Sequence, residues 1–194
     1  MKGQTKKLAV SALLLAADVI LTRILAFNTP LMKIGLGFAA VALSAMLYGP
    51  AWAALTAALG DLVGALLFPT GAYFPGFTAT AALTGLIFGL FLYRREKSWL
   101  RAFLAALCNC LLVTLLLNTL MIAVFFRSSP AELAGADFAR FMELTSLKAL
   151  LAARIPQFFI MLAVQALVLA ALQASPALLR LIREKSGGKS EKKP

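Results

Sequence analysis

PTGAYFPGFT, residues 69–78, joins two long apolar stretches, and its reading decides how the chain folds. It holds two prolines, two glycines, three aromatic residues and no charge. Proline and glycine punctuate backbone, so the run reads as a stiff loop between two helices rather than a continuation of either. Tyr73, Phe74 and Phe77 then set flat π-faces at the mouth of whatever those helices enclose. Such faces on a rigid backbone suit the capture of a planar ring. The same residues also read as an interfacial aromatic belt at lipid headgroup depth.

The apolar character on either side of the loop extends through most of the chain. Of 194 residues, 61% are hydrophobic and 14% charged, with mean hydropathy +0.88. Soluble domains carry about 25% charged residues, so the composition is that of an integral membrane protein. Six spans are expected, at about Leu8 to Phe27, Ile34 to Leu47, Ala51 to Phe68, Phe77 to Tyr93, Ala102 to Phe126 and Leu147 to Gln173. The first is read as a retained span, because its apolar run outlasts a signal-peptide core. The second is short, and the fifth is long enough to tilt or project. The expected fold is thus an all-α bundle of six transmembrane helices over residues 1–176, followed by a basic tail, 177–194, disordered towards its end.

Lysine and arginine collect in three places: Lys2, Lys6 and Lys7; Arg94, Arg95, Lys97 and Arg101; and the tail from Arg180 to Lys193. With six spans all three fall on one side, which the positive-inside rule makes cytoplasmic, and both termini with it. The formal charge of +11 is therefore a topology signal and a contact for anionic lipid. It does not build the single basic face that nucleic acid requires. The chain has no histidine, which removes the commonest metal ligand and acid–base group. No metal site, cofactor or enzymatic activity is expected. Cys108 and Cys110 read as packing residues.

Charges inside spans cost about 2.5–3.5 kcal/mol each on insertion scales, which makes them functional candidates. Asp18, Arg23, Asp61 and Arg154 qualify. Arg23 could snorkel to the outer surface, and Asp61 could form a buried ion pair, with Arg23 as the partner to test. Arg154 precedes Ile155-Pro156, where proline kinks the helix. With Gln157 three residues on, its guanidinium could fork a carboxylate. Asn109 and Asn118 either reach a cavity or glue helices together. Small residues recur four apart at Ala12/Ala16, Gly60/Gly64 and Gly85/Gly89, which permits close helix approach inside the bundle or against a partner.

LTRILAF (21–27), LYGP (47–50), GDLVGALLFPTGAYFPGFTATAALTGLIFGLFLYR (60–94) and ARIPQ (153–157) together resemble the folate-specific S component of energy-coupling factor (ECF) vitamin transporters. The resemblance covers nearly the whole chain, and its aromatic Pro-Gly string is the specific part. It implies six helices with both termini inside, in the cell membrane. It also implies a vitamin site open to the outside and gated by the loops Asn28 to Lys33 and Pro69 to Pro75. Such a component binds folate and docks, through small residues of span one such as Ala12 and Ala16, onto a transmembrane coupling subunit driven by two ATPases. Toppling of the bundle in the membrane would then carry the vitamin across. The chain lacks the G-x-x-x-x-G-K-[ST] string, so ATP hydrolysis would belong to another subunit.

Folate offers a planar pterin, a benzoyl ring and two carboxylates. Tyr73, Phe74 and Phe77 would sandwich rings, while Asp61, Thr78, Asn118 or Gln157 would read polar edges. Arg23, Lys33 and Arg154 would supply positive charge. The competing readings are an S component for riboflavin or thiamine and a stand-alone ion-coupled carrier.

Overall fold

A computed structural model describes residues 2–28, 33–69, 73–95, 98–128 and 147–175. Apart from one two-residue antiparallel pair, Phe27–Asn28 with Lys33–Ile34, the secondary structure of these residues is helical. α1 (Lys2–Val19) runs on into a π-helical turn, Ile20–Ile24, and α2 (Gly37–Tyr48) and α3 (Pro50–Leu67) follow. α4 spans Pro75–Leu92. α5 (Trp99–Cys108) passes through a π-helical stretch, Asn109–Leu117, into α6 (Asn118–Ser128). α7 (Leu147–Ala153) and α8 (Ile155–Ala174) complete the described chain.

Among the described residues, four continuous helical stretches are long and apolar enough to cross a membrane: Pro50–Leu67, Pro75–Leu92, Trp99–Val124 and Ile155–Ala174. Large apolar side chains such as Leu13, Leu66, Leu90 and Leu167 point outward, as a lipid-facing surface requires. α2 is shorter, and its composition explains its position. It is apolar on every side, so it lies in the interior, touching α1, α3, α4 and α8. Ala40, Val41, Ala42, Ala45 and Met46 are buried there, and Ser44 pairs with Thr56 of α3 at 3.1 Å. Gly49, at φ 93°, makes the turn from α2 into α3, and Pro50 opens α3, where a missing N–H costs nothing.

The glycine pairs play two different parts. Gly85 and Gly89 of α4 face the backbone of Ala53 and Pro50 in α3, so here the helices meet backbone to backbone. Gly60 and Gly64 of α3 instead leave room for charged side chains of the first helix, the Asp18 carboxylate and the Arg23 side chain. The Asp18 carboxylate also lies against Gly37, the first residue of α2. A buried carboxylate therefore stands at the start of a helix that has no side-chain cap of its own, where the helix dipole and unpaired N–H groups favour it.

Several expected boundaries move. The first helix begins at Lys2 and its helical part ends at Ile24, because Phe27 turns off to pair with Ile34. The expected second span gives Ile34 to that pair and starts at Gly37. The expected last span is two helices broken at Arg154, whose φ of −96° and ψ of −1° precede the proline-opened α8. The expected tail, the charged connection 129–146 and the loop tips 29–32 and 70–72 lie outside the described residues.

Candidate functional site

The expected site residues gather in two polar centres, one of which includes the aromatic segment. The first joins α1, α3 and α4. Arg23, in the widened π turn after α1, reaches Asp61 of α3, with Nη2 3.2 Å from Oδ1 and 3.3 Å from the backbone carbonyl oxygen. Gly64 lies directly beneath the Arg23 side chain: a Cβ there would stand 2.9 Å from Nε. The other Asp61 oxygen, Oδ2, accepts from the Thr78 hydroxyl at 2.8 Å, and Thr78 Oγ1 lies 2.7 Å from the Tyr73 hydroxyl. Four of the expected site residues thus form one chain of contacts, with the charges of Arg23 and Asp61 balanced within it.

The second centre joins α6, α7 and α8. Arg154 is only 4% exposed, held at the break between α7 and α8. Its Nε donates to Gln157 Oε1 at 3.1 Å and its Nη1 to Thr119 Oγ1 at 3.0 Å. Neither partner is charged, and among the described residues no carboxylate pairs with this guanidinium. A buried cation with neutral partners retains donors for an anion or a carbonyl group. Next to Thr119, Asn118 keeps its side-chain Oδ1 buried and without a hydrogen-bond partner among the described residues. That oxygen asks for a donor.

Phe74 and Phe77 meet edge to face, with centroids 5.8 Å apart and planes at 77°. Gly76 separates them in sequence and packs against Phe74 and the sulfur of Met121, so the start of α4 meets α6, the helix that carries Thr119. Tyr73 is 44% exposed and keeps ring area for a ligand to cover.

The expected residues therefore divide into groups. Arg23, Asp61, Thr78 and Tyr73 are connected with one another, and Arg154 and Gln157 likewise, with Asn118 adjacent in sequence to their partner Thr119. Lys33 is placed only by its backbone, in the pair with Asn28, and its side chain lies outside the described residues. Ala12 and Ala16 are both exposed on α1, away from these centres. Thr119 is a partner of Arg154 that sequence reasoning missed. Its signal was a hydroxyl beside Asn118, ahead of the apolar run Leu120 to Phe126. A second buried polar pair, Asn109 Nδ2 to Gln165 Oε1 at 3.1 Å, ties the π-helical stretch to α8. An open apolar groove lined by Trp99, Phe103, Phe159 and Leu167 lies between α5 and α8 and includes none of the expected site residues.

Over residues 6–173 the chain matches the family described as ECF transporter, substrate-specific component. It is 39% identical over 113 residues to the folate transporter FolT of Clostridium novyi, an alignment covering 58% of this chain and 66% of that protein, just under two thirds. A folate transporter FolT of Leuconostoc mesenteroides is 32% identical over 129 residues, covering 66% of this chain and 69% of that one. Among solved structures, the crystal structure of FolT bound with folic acid superposes with a TM-score of 0.73 at 32% identity, covering 88% of this chain and 93% of that one.

Proposed function

We propose that this chain, which belongs to the family of ECF transporter substrate-specific components, is a folate-binding member that captures the vitamin and delivers it to a coupling module. The observation that carries the reading is the buried Arg154 guanidinium, held by Gln157 and Thr119 without a carboxylate partner among the described residues, in a chain whose Pro75–Leu92 helix opens on the ring pair Phe74 and Phe77. Ring faces and such a cation are what a flat heterocycle with an acidic tail needs. The similarity to proteins called FolT, one of them solved with folic acid, supports the same ligand.

In this reading Phe74, Phe77 and Tyr73 cover ring surface, and Arg154, Gln157 and Asn118 supply donors and an acceptor. Arg23, Asp61 and Thr78 hold the aromatic segment in place beside the ligand, with Lys33 at the rim. α1 and α2 join the four apolar membrane-length stretches as spans, giving six, with both termini in the cytoplasm. The protein sits in the cell membrane and performs no chemistry. The exposed face of α1 with Ala12 and Ala16 docks onto a transmembrane coupling subunit, and two ATPases drive release.

Calorimetry on the purified chain without partners tests the ligand. Heat with folate and none with riboflavin or thiamine is expected. Heat with either rival and none with folate would overturn the assignment.

A further inference from the structure

The two halves of α1 are attached to the bundle by different means. No residue from 4 to 17 is buried, and Asp18 and Val19, each 5% exposed, are the first that are. Beyond them Arg23 fastens the helix to α3 through its ion pair with Asp61. The N-terminal half meets the bundle at a different kind of contact. Lys7 Nζ stands 3.6 Å above the centre of the Trp52 ring and 5.6 Å from that of Tyr48. The Trp52 indole N–H donates to Ser11 Oγ at 2.6 Å. Lys7 and Ser11 lie four residues apart, hence on one helix face, and Trp52 fills the space opposite both. Ala9, Ala12 and Ala16 emerge on the other side and are exposed.

We propose that Lys7, Ser11 and Trp52 form a clamp that fixes the rotation and tilt of the N-terminal half of α1. They thereby act as positioning residues for the helix face that a membrane-embedded partner meets. The inference rests on the docking role proposed for α1. A cation over an aromatic face constrains the lysine without burying it, and one indole hydrogen bond fixes which way the helix is turned. No apolar residue among positions 4–17 is fully buried, Val10, Leu14 and Leu15 being half-buried, so the clamp adds the directional contact that sets which way the alanines face. Tyr48 and Trp52 flank the Gly49 turn. That turn packs on the Tyr93 ring, so the clamp anchors α1 to the rigid crossing of α2, α3 and α4.

The test replaces Trp99 by Phe, leaving Trp52 as the single tryptophan, and compares K7Q, K7R, W52F and W52A. Trp52 emission and folate affinity are measured on the purified protein, and folate uptake in proteoliposomes holding the complete transporter. K7Q and W52A should lower uptake at least tenfold with folate affinity within twofold of the parent. K7R should restore uptake, W52F should fall between, and the K7Q/W52A double variant should be no worse than either alone. K7Q should also change Trp52 emission in the purified protein. Parental uptake in both K7Q and W52A, additive losses, or folate affinity falling in step with uptake would each overturn the proposal. Failure of the parent to bind folate or support uptake would instead strike the functional reading, while unchanged Trp52 emission in K7Q would remove the clamp itself.

Discussion

Arg23 and Asp61, thirty-eight positions apart in sequence, neutralise each other across the contact of the first and third helices, with Nη2 and Oδ1 3.2 Å apart. Asp61 divides its oxygens: Oδ1 holds the end of α1 and Oδ2 holds Thr78 at the start of α4. One carboxylate therefore ties the first helix to the aromatic segment that borders the proposed site.

Because the pair is mostly buried, with 11% and 20% side-chain exposure, removing one member strands the other. Arg23→Ala or Asp61→Ala should destabilise the empty protein towards the lower end of the roughly 3–5 kcal/mol typical of a broken buried pair. The double variant should lose much less than the sum. Thermal melting of the four proteins in detergent measures this, and additive losses would dissolve the pair.

Arg154 predicts the opposite sign for the empty protein. It is a buried cation with two neutral partners and no carboxylate among the described residues. Arg154→Ala should leave the melting temperature of the empty protein unchanged or raise it, because it removes a buried charge that no carboxylate among the described residues balances. Folate affinity should fall by about 1.5–3 kcal/mol, the range for a hydrogen bond to a charged group. Arg154→Lys should recover only part of it, since a point charge lacks the planar fork. A melting temperature that falls with unchanged folate affinity would make Arg154 a structural residue.

Much of the architecture was legible because lipid demands simple patterns. The Tyr48-Gly49-Pro50 turn follows from backbone chemistry that local sequence states outright, whereas the proline opening of α4 at Pro75 and a full break at Arg154, where only a kink was expected, came from the structure. The pairing of Arg23 with Asp61 was legible as a possibility, because two opposite intramembrane charges invite each other. What was not legible depends on rotation about helix axes. Gly60 and Gly64 look like Gly85 and Gly89 in sequence, yet the first pair makes room for charged side chains and the second for backbone. The π-helical stretch Asn109–Leu117 shifts the register between Ala102 and Asn118, so an ideal helical wheel could not bring Thr119 to Arg154. Asp18 found its place at the start of α2 through a tertiary contact that no spacing announces.

The aromatic segment can be divided by substitution. Phe74→Ala should weaken folate binding by about 1–3 kcal/mol if the ligand covers its ring, the scale for burying a large apolar side chain. Tyr73→Phe keeps ring area and removes the hydroxyl that contacts Thr78. It should cost only about 0.5–1.5 kcal/mol, the net value of one hydrogen bond. Calorimetric titration of both variants checks the order. Parental affinity in Phe74→Ala and in Tyr73→Ala would return the segment to an interfacial belt.

The exposed position of Ala12 and Ala16 turns an ambiguous small-residue pair into a directional prediction. Both are exposed and neither is covered by the described helices, so a tryptophan at either position does not overpack them. If α1 presents this face to a coupling subunit, Ala12→Trp and Ala16→Trp should abolish folate uptake by the assembled transporter. Folate affinity and melting temperature of the isolated chain should stay close to the parent, because the ring would extend into lipid. Leu13→Ala, on the same helix and 71% exposed, is the control for simple loss of lipid-facing surface and should be mild. Uptake measured beside binding and melting separates the cases. Full uptake in both tryptophan variants would remove α1 from the docking site, and a fall in melting temperature would show that the bundle itself needs the small residues there.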